Sequence, residues 1–137
     1  NKVHETTNLN AIKAKLHNQA YINLSKKVAL PEFMIIDQFA PEPLYYRYLK
    51  DDKQVVRHMH FETKAEDKYI SVAISSMIAR NAFLNALDKM NEAYGMTFQK
   101  GGGKQADECA KEFIEKYSFD RLHEVAKMHF KNTERLY

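Results

Sequence analysis

Apolar residues recur three and four positions apart through the first part of the chain, at Leu9, Ile12, Leu16, Ala20, Leu24 and Val28. That spacing predicts a helix over residues 8–28 with these side chains on one face. Thr7 or Asn8 can cap it, and neither proline nor glycine interrupts it. The pattern then changes. Phe33-Met34-Ile35-Ile36-Asp37 is an almost wholly apolar run preceded by Pro31 and closed by an acid. It reads as a strand over residues 33–37, buried on both faces in the middle of an α/β sheet. Pro41 and Pro43 break the chain after it, because proline lacks an amide donor and restricts the residue before it.

A short helix over residues 44–49 and a polar turn at Lys50-Asp51-Asp52-Lys53 follow. Residues 55–61 alternate loosely and are rich in β-formers, which predicts a second strand leading into Glu62-Thr63-Lys64-Ala65-Glu66. The longest helix is predicted over residues 67–94. Ile70, Val72, Ala73, Ile74, Met77 and Ile78 make its first half apolar on nearly every side, the mark of a buried helix. Phe83, Leu87 and Met90 against Asn85, Asp88, Lys89 and Glu92 make its second half amphipathic. Gly95 ends it, Lys100-Gly101-Gly102-Gly103-Lys104 is the glycine-rich loop, and helices over residues 105–117 and 120–127 complete the pattern.

These elements describe a helix-rich α/β chain. Two strands do not make a stable sheet beside so many helices. Either the fold is mostly helical with a ribbon, or the other strands of its sheet lie outside the chain, and the lack of a methionine before Asn1 leaves the second possibility open. At 137 residues the whole of 1–137 is expected to form one domain or a part of one.

Composition narrows the class. Hydrophobic residues make up 45% and charged residues 28%, as in ordinary globular proteins and unlike disordered chains. No uninterrupted apolar run approaches a membrane span and no secretion signal is legible, so a cytoplasmic protein without a membrane partner is expected. Cys109, the single cysteine, fits a reducing compartment and the role of a small packing residue. The net charge of +3 permits a polyanionic partner without requiring one.

Asp37 is the first candidate for chemistry, since ligands of open α/β sheets bind beyond the carboxyl ends of strands. The alternative is an aspartate that caps the following turn. Glu66 stands before the predicted long helix, whose positive end favours an ionised carboxylate suited to a hard cation; the alternative is a glutamate there for capping reasons alone, as is common at a helix start. Together the two acids suggest half of a carboxylate site for Mg²⁺ or Mn²⁺, the core of two-metal phosphoryl transfer. His58 and His60 share one face of the second predicted strand at a spacing that can chelate, although no third ligand is evident. The glycine loop opens a helix and can cradle a phosphate, but it is not a Walker A loop because Gln105 follows the lysine. No Ser/His/Asp or Cys/His nucleophile is legible.

Five blocks in order, Ile36-Asp37-Gln38-Phe39-Ala40, Phe61-Glu62-Thr63-Lys64-Ala65-Glu66, Val72 through Arg80, Lys100-Gly101-Gly102-Gly103 and Lys127-Met128-His129-Phe130-Lys131-Asn132, resemble the motifs of bacterial ribonuclease HIII. Leu16-His17-Asn18-Gln19-Ala20 is similar as well. The resemblance implies a ribonuclease H-like α/β fold, here its helix-rich C-terminal part with the N-terminal strands missing. It implies endonucleolytic hydrolysis of the RNA strand of RNA/DNA hybrids, with Mg²⁺ or Mn²⁺ held by four carboxylates. Asp37 and Glu66 match the third and fourth; the Asp-Glu motif carrying the first two is absent from this sequence. The chain alone is therefore expected to be inactive. Lys64, Ser76, Arg80 and Lys100 are the candidates for substrate contacts. The alternative is a noncatalytic basic module that binds nucleic acid through Lys100, Lys104, Lys127 and Lys131.

Overall fold

The computed structural model of the chain describes residues 1–2, 7–129, 131–134 and 136. It divides into two compact units, His4–Ile78 and Asn1–Val3 with Ala79–Tyr137.

The first unit opens with α1, Leu9–Ser25, capped by Asn8, whose side chain accepts the Ala11 amide at 2.9 Å. The face it buries is not the leucine stripe. Ala11, Ala14, Asn18 and Ile22 are buried, whereas Leu9, Leu16, Leu24 and Val28 are exposed. The reason lies in Asn18, which no hydrophobic pattern registers. Its Nδ2 donates to the Gln54 carbonyl at 2.8 Å and its Oδ1 accepts the Val56 amide at 2.9 Å. A buried amide satisfied at both ends ties α1 to the segment before the second strand and rotates the helix to suit. Replacing Asn18 by Ala strands both backbone groups, so we expect a loss of about 1–3 kcal/mol in denaturant unfolding, with Asn18→Leu no better despite its bulk.

Strand β1, Met34–Asp37, pairs in parallel with β2, Met59–Glu62, in the register Met34↔Met59 through Asp37↔Glu62. Between them runs α2, Glu42–Tyr48, with Pro43 in its first turn, where a missing amide costs nothing. Met34 and Ile36 are buried with Met59, Tyr45, Leu49 and Ala14, and Phe61 packs against them. Alternation puts Ile35, Asp37, His60 and Glu62 on the opposite face. There Ile35, His60 and Glu62 are half-buried and Asp37 is exposed, so β1 is covered on one face only.

The second strand is shorter than its pattern suggests because residues 55–58 do not join it and His58 adopts a left-handed backbone, φ 62°. His58 and His60 therefore share no strand face, and the chelating pair does not form. The long predicted helix is also divided. A one-turn helix α3, Ala65–Lys68, ends at the extended Tyr69, whose ring packs on Phe33 and His60 with centroids 6.0 and 6.3 Å away. Only then does α4 begin, Ile70–Tyr94.

No residue of α4 is buried. Ile70 is 79% exposed, Met77 71% and Ile78 66%, against the expectation of a buried helix. Burial is a property of a helix's neighbours as much as of its sequence, and among the described residues these side chains stay exposed. By length and composition α4 could also cross a membrane, which the count of uninterrupted apolar residues did not register. Arg80, Asp88 and Lys89 lie within it, and such charges are costly in a bilayer core.

In the second unit, Gly95, left-handed at φ 56°, ends α4. The Asn91 side chain accepts the Phe98 amide at 2.8 Å, which turns the chain toward the glycine loop. Helix α5, Lys104–Tyr117, follows, then a 3₁₀ helix over Phe119–Glu124 where a longer helix was expected, and α6, Lys131–Glu134. Phe113, Leu122, Met96 and Phe98 form the core, with Cys109 packed beside them as expected. Arg121 and the Tyr94 hydroxyl both bond Glu124 and push its carboxyl down to about 2.

Candidate active site

Both strands end at the same level, each on an acid, Asp37 and Glu62, with Glu66 on the turn that follows. Asp37 is the last residue of β1, and its Oδ1 accepts the backbone amide of Ala65 at 3.1 Å. It thereby caps α3 from another element, as Lys64 makes no side-chain cap of its own. Lys64 holds the turn with a left-handed backbone, φ 52°, which non-glycine residues adopt rarely. Glu66 is the next residue after Ala65. Asp37 is thus tied through Ala65 to the turn that carries Lys64 and Glu66, though Glu66 stands in α3 and not at the head of the long helix, so its position owes little to a long helix dipole.

Glu62 lies opposite Asp37 in register and is the acid that sequence reasoning did not single out. Its fate separates it from the other two. Lys68 Nζ bonds its Oε1 at 2.5 Å and His60 Nε2 meets its Oε2 at 3.3 Å. Hydrogen bonds from Lys68 and His60 lower the Glu62 carboxyl, and Glu62 in turn raises Lys68. Both oxygens of Glu62 are engaged and its charge is balanced. Among the described residues, Asp37 and Glu66 have no cationic partner within ion-pair distance, and Asp37 keeps one oxygen uncommitted.

Such hard, exposed oxygens fit Mg²⁺ or Mn²⁺ in kind. They fall short in number, because no group of three or more His, Cys, Asp or Glu able to hold a metal occurs among the described residues.

Beside Asp37 stands α1. The His17 ring lies 5.4 Å from that of Phe39, and Lys13 Nζ is 5.6 Å from the same ring's centroid. Loss of hydration lowers His17 below its ordinary value, Lys13 pushes the same way, and Asp37 opposes both.

The other candidates lie apart along the chain. Ser76, in the first unit, is exposed on α4; it is Ser75 that bonds back to the Ser71 carbonyl, at 2.8 Å. In the second unit Arg80 stacks over Phe83 at 5.5 Å. Lys100, with Gly101 and Gly102, edges a cavity of about 400 Å³ floored by Leu87, Phe98 and Phe113. Gly101 needs its glycine for its backbone, φ 93°, and not for space. Lys104 is exposed and 3.8 Å from Glu108, and Lys127 is exposed. The side chains of Lys131 and Asn132 and all of Phe130 fall outside the described residues.

A sequence profile of the family described as Ribonuclease HII matches residues 1–133. The chain belongs to the ribonuclease HII family. It is 42% identical over 133 residues to a ribonuclease HIII of Bacillus cereus, covering 95% of this chain and 43% of that protein. A ribonuclease HIII of Listeria monocytogenes is 43% identical over 131 residues, 93% of this chain and 42% of the relative. A crystal structure of Bst-RNase HIII in complex with Mn²⁺ superposes with a TM-score of 0.92 at 35% identity, covering 97% of this chain and 44% of that one. The mixed α/β, helix-rich architecture is thus that of a ribonuclease HIII, as its motifs suggested. This ribonuclease HII family chain spans less than half the length of the curated relatives it matches.

Proposed function

We propose that this chain is the C-terminal part of a single ribonuclease H-like catalytic domain, and that the full-length enzyme hydrolyses the RNA strand of RNA/DNA hybrids in the cytoplasm. The observation that carries the reading is the contrast among three neighbouring acids: Glu62 has both oxygens engaged, one by the Lys68 ammonium and one by His60, while Asp37 and Glu66, one residue beyond the amide that Asp37 caps, face solvent without an ion-pair partner among the described residues. Exposed, unbalanced carboxylates at the carboxyl ends of strands favour a divalent ion. Membership of the family and the Mn²⁺ in the Bst-RNase HIII structure support the same reading.

Asp37 and Glu66 are the residues that would hold metal, with two further acids supplied by the remainder of the enzyme. A divalent ion in such a site supplies charge that activates water and offsets the negative phosphate in a two-metal mechanism. The Ala65 amide orients Asp37, and the engaged oxygens of Glu62 keep it from competing. Lys64, Ser76, Arg80 and Lys100 are assigned to the nucleic-acid backbone, whose phosphates dominate affinity. The apolar face of α4 is assigned to the interior of the complete domain.

The test is cleavage of a labelled RNA/DNA hybrid by the full-length enzyme. Internal cuts in the RNA strand with Mg²⁺ or Mn²⁺, and none with chelator, are expected. Tight, salt-sensitive binding of the hybrid without cleavage under any divalent ion would instead support a basic binding module.

A further inference from the structure

The carboxyl end of the sheet has a second wall that the acids do not explain. Helix α1 crosses β1 so that stepping backward along the helix moves forward along the strand. The Tyr21 hydroxyl donates to the Ile35 carbonyl at 2.8 Å, and one turn earlier His17 meets Phe39, two residues beyond Asp37. A further turn earlier, Lys13 places its ammonium over the same phenyl ring. Lys13 and His17, four apart on one helix face, therefore stand just past the acid.

Neither makes a hydrogen bond or salt bridge among the described residues, in contrast to Lys15, two residues from each on the opposite side of the helix, which pairs with Asp52 at 2.8 Å. The Phe39 ring contacts the Lys13 ammonium and the His17 imidazole, through a cation–π contact and tilted ring packing. A side chain held in position loses less freedom when it meets a ligand. The pair presents donors beside carboxylates, and the species that needs donors on one side and metal-bound oxygens on the other is a phosphodiester.

We propose that Lys13 and His17, braced on Phe39, form a contact for a backbone phosphate of the nucleic-acid substrate beside Asp37. The inference rests on the reading of Asp37 as part of the active site. Lys13 supplies a full charge and His17 a ring N–H, and both act by positioning the strand and not on the reacting atoms.

Hybrid binding by the full-length enzyme, measured without metal across a salt series, tests this independently of cleavage. Lys13→Gln is expected to reduce the slope of log K against log salt by about one counterion and to raise KM several-fold, more than it lowers kcat. Lys13→Arg restores both. His17→Phe keeps the tilted ring contact with Phe39 and removes the N–H, and a two- to fivefold rise in KM at unchanged thermal stability is expected. An unchanged slope and KM in Lys13→Gln would make the lysine a packing residue and overturn the proposal. So would an affinity loss matched by a fall in Tm in both variants. If Asp37→Asn cleaved normally while Lys13→Gln still flattened the salt slope, the acid's assignment would fail and the phosphate contact would stand.

Discussion

In the full-length enzyme, Asp37→Asn and Glu66→Gln are each expected to lower turnover on an RNA/DNA hybrid by at least about a hundredfold, the scale on which single electrostatic groups act in catalysis. Both changes keep size and remove a charge. Asparagine can still accept the Ala65 amide through its carbonyl oxygen, so the cap on α3 survives and thermal stability should move little. What is lost is a hard anionic ligand. Hybrid binding without metal should be retained or slightly strengthened, because a negative charge near the phosphates has gone. Glu62→Gln is the control: its partners are Lys68 and His60, so it should affect the turn more than the chemistry. Near-normal cleavage by Asp37→Asn would return the residue to the role of a cap.

The 137-residue chain by itself is expected to show no metal-dependent cleavage of hybrid, a loss of several orders of magnitude against the full-length enzyme. Two carboxylates hold a divalent ion weakly and position none of the remaining ligands. The chain also leaves Ile70, Ile74, Met77 and Ile78 uncovered, so its purified form should bind hydrophobic dyes and self-associate as concentration rises. Measuring hybrid cleavage in Mn²⁺, with the sample's intact mass verified, checks the expectation. Cleavage by a sample free of longer species would show that the chain's own residues complete a site.

The sequence made the elements legible where local chemistry dominates. Asn8 as a cap, the strand ending in Asp37, the prolines at the start of α2 and Gly95 after α4 all follow from local preferences. It misled where tertiary contacts decide. The leucines of α1 have perfect helical spacing and yet face outward, because Asn18 claims the inner face through two backbone hydrogen bonds. Val55 and Val56 favour strand, but the left-handed His58 and the bond from Val56 to Asn18 keep them out of the ladder. The break at Tyr69 depends on rings distant in sequence. Of the candidate site, the two acids were visible as types at suggestive places. That Asp37 reaches the Ala65 amide, and that Glu62 is silenced by Lys68, could be learned only from coordinates.

The two left-handed residues His58 and Lys64 bracket a strand of four residues. In a parallel pair so short, sliding β2 by one position would exchange its faces and carry His60 and Glu62 to the core side, out of line with Asp37 on β1. A positive φ at each end opposes such a slide, because it would require rebuilding turns that L-residues enter at some cost. The register is thus locked from both ends. Lys64→Gly would ease the turn's strain while loosening this lock, so a more relaxed backbone should come with a less faithful alignment of the acids.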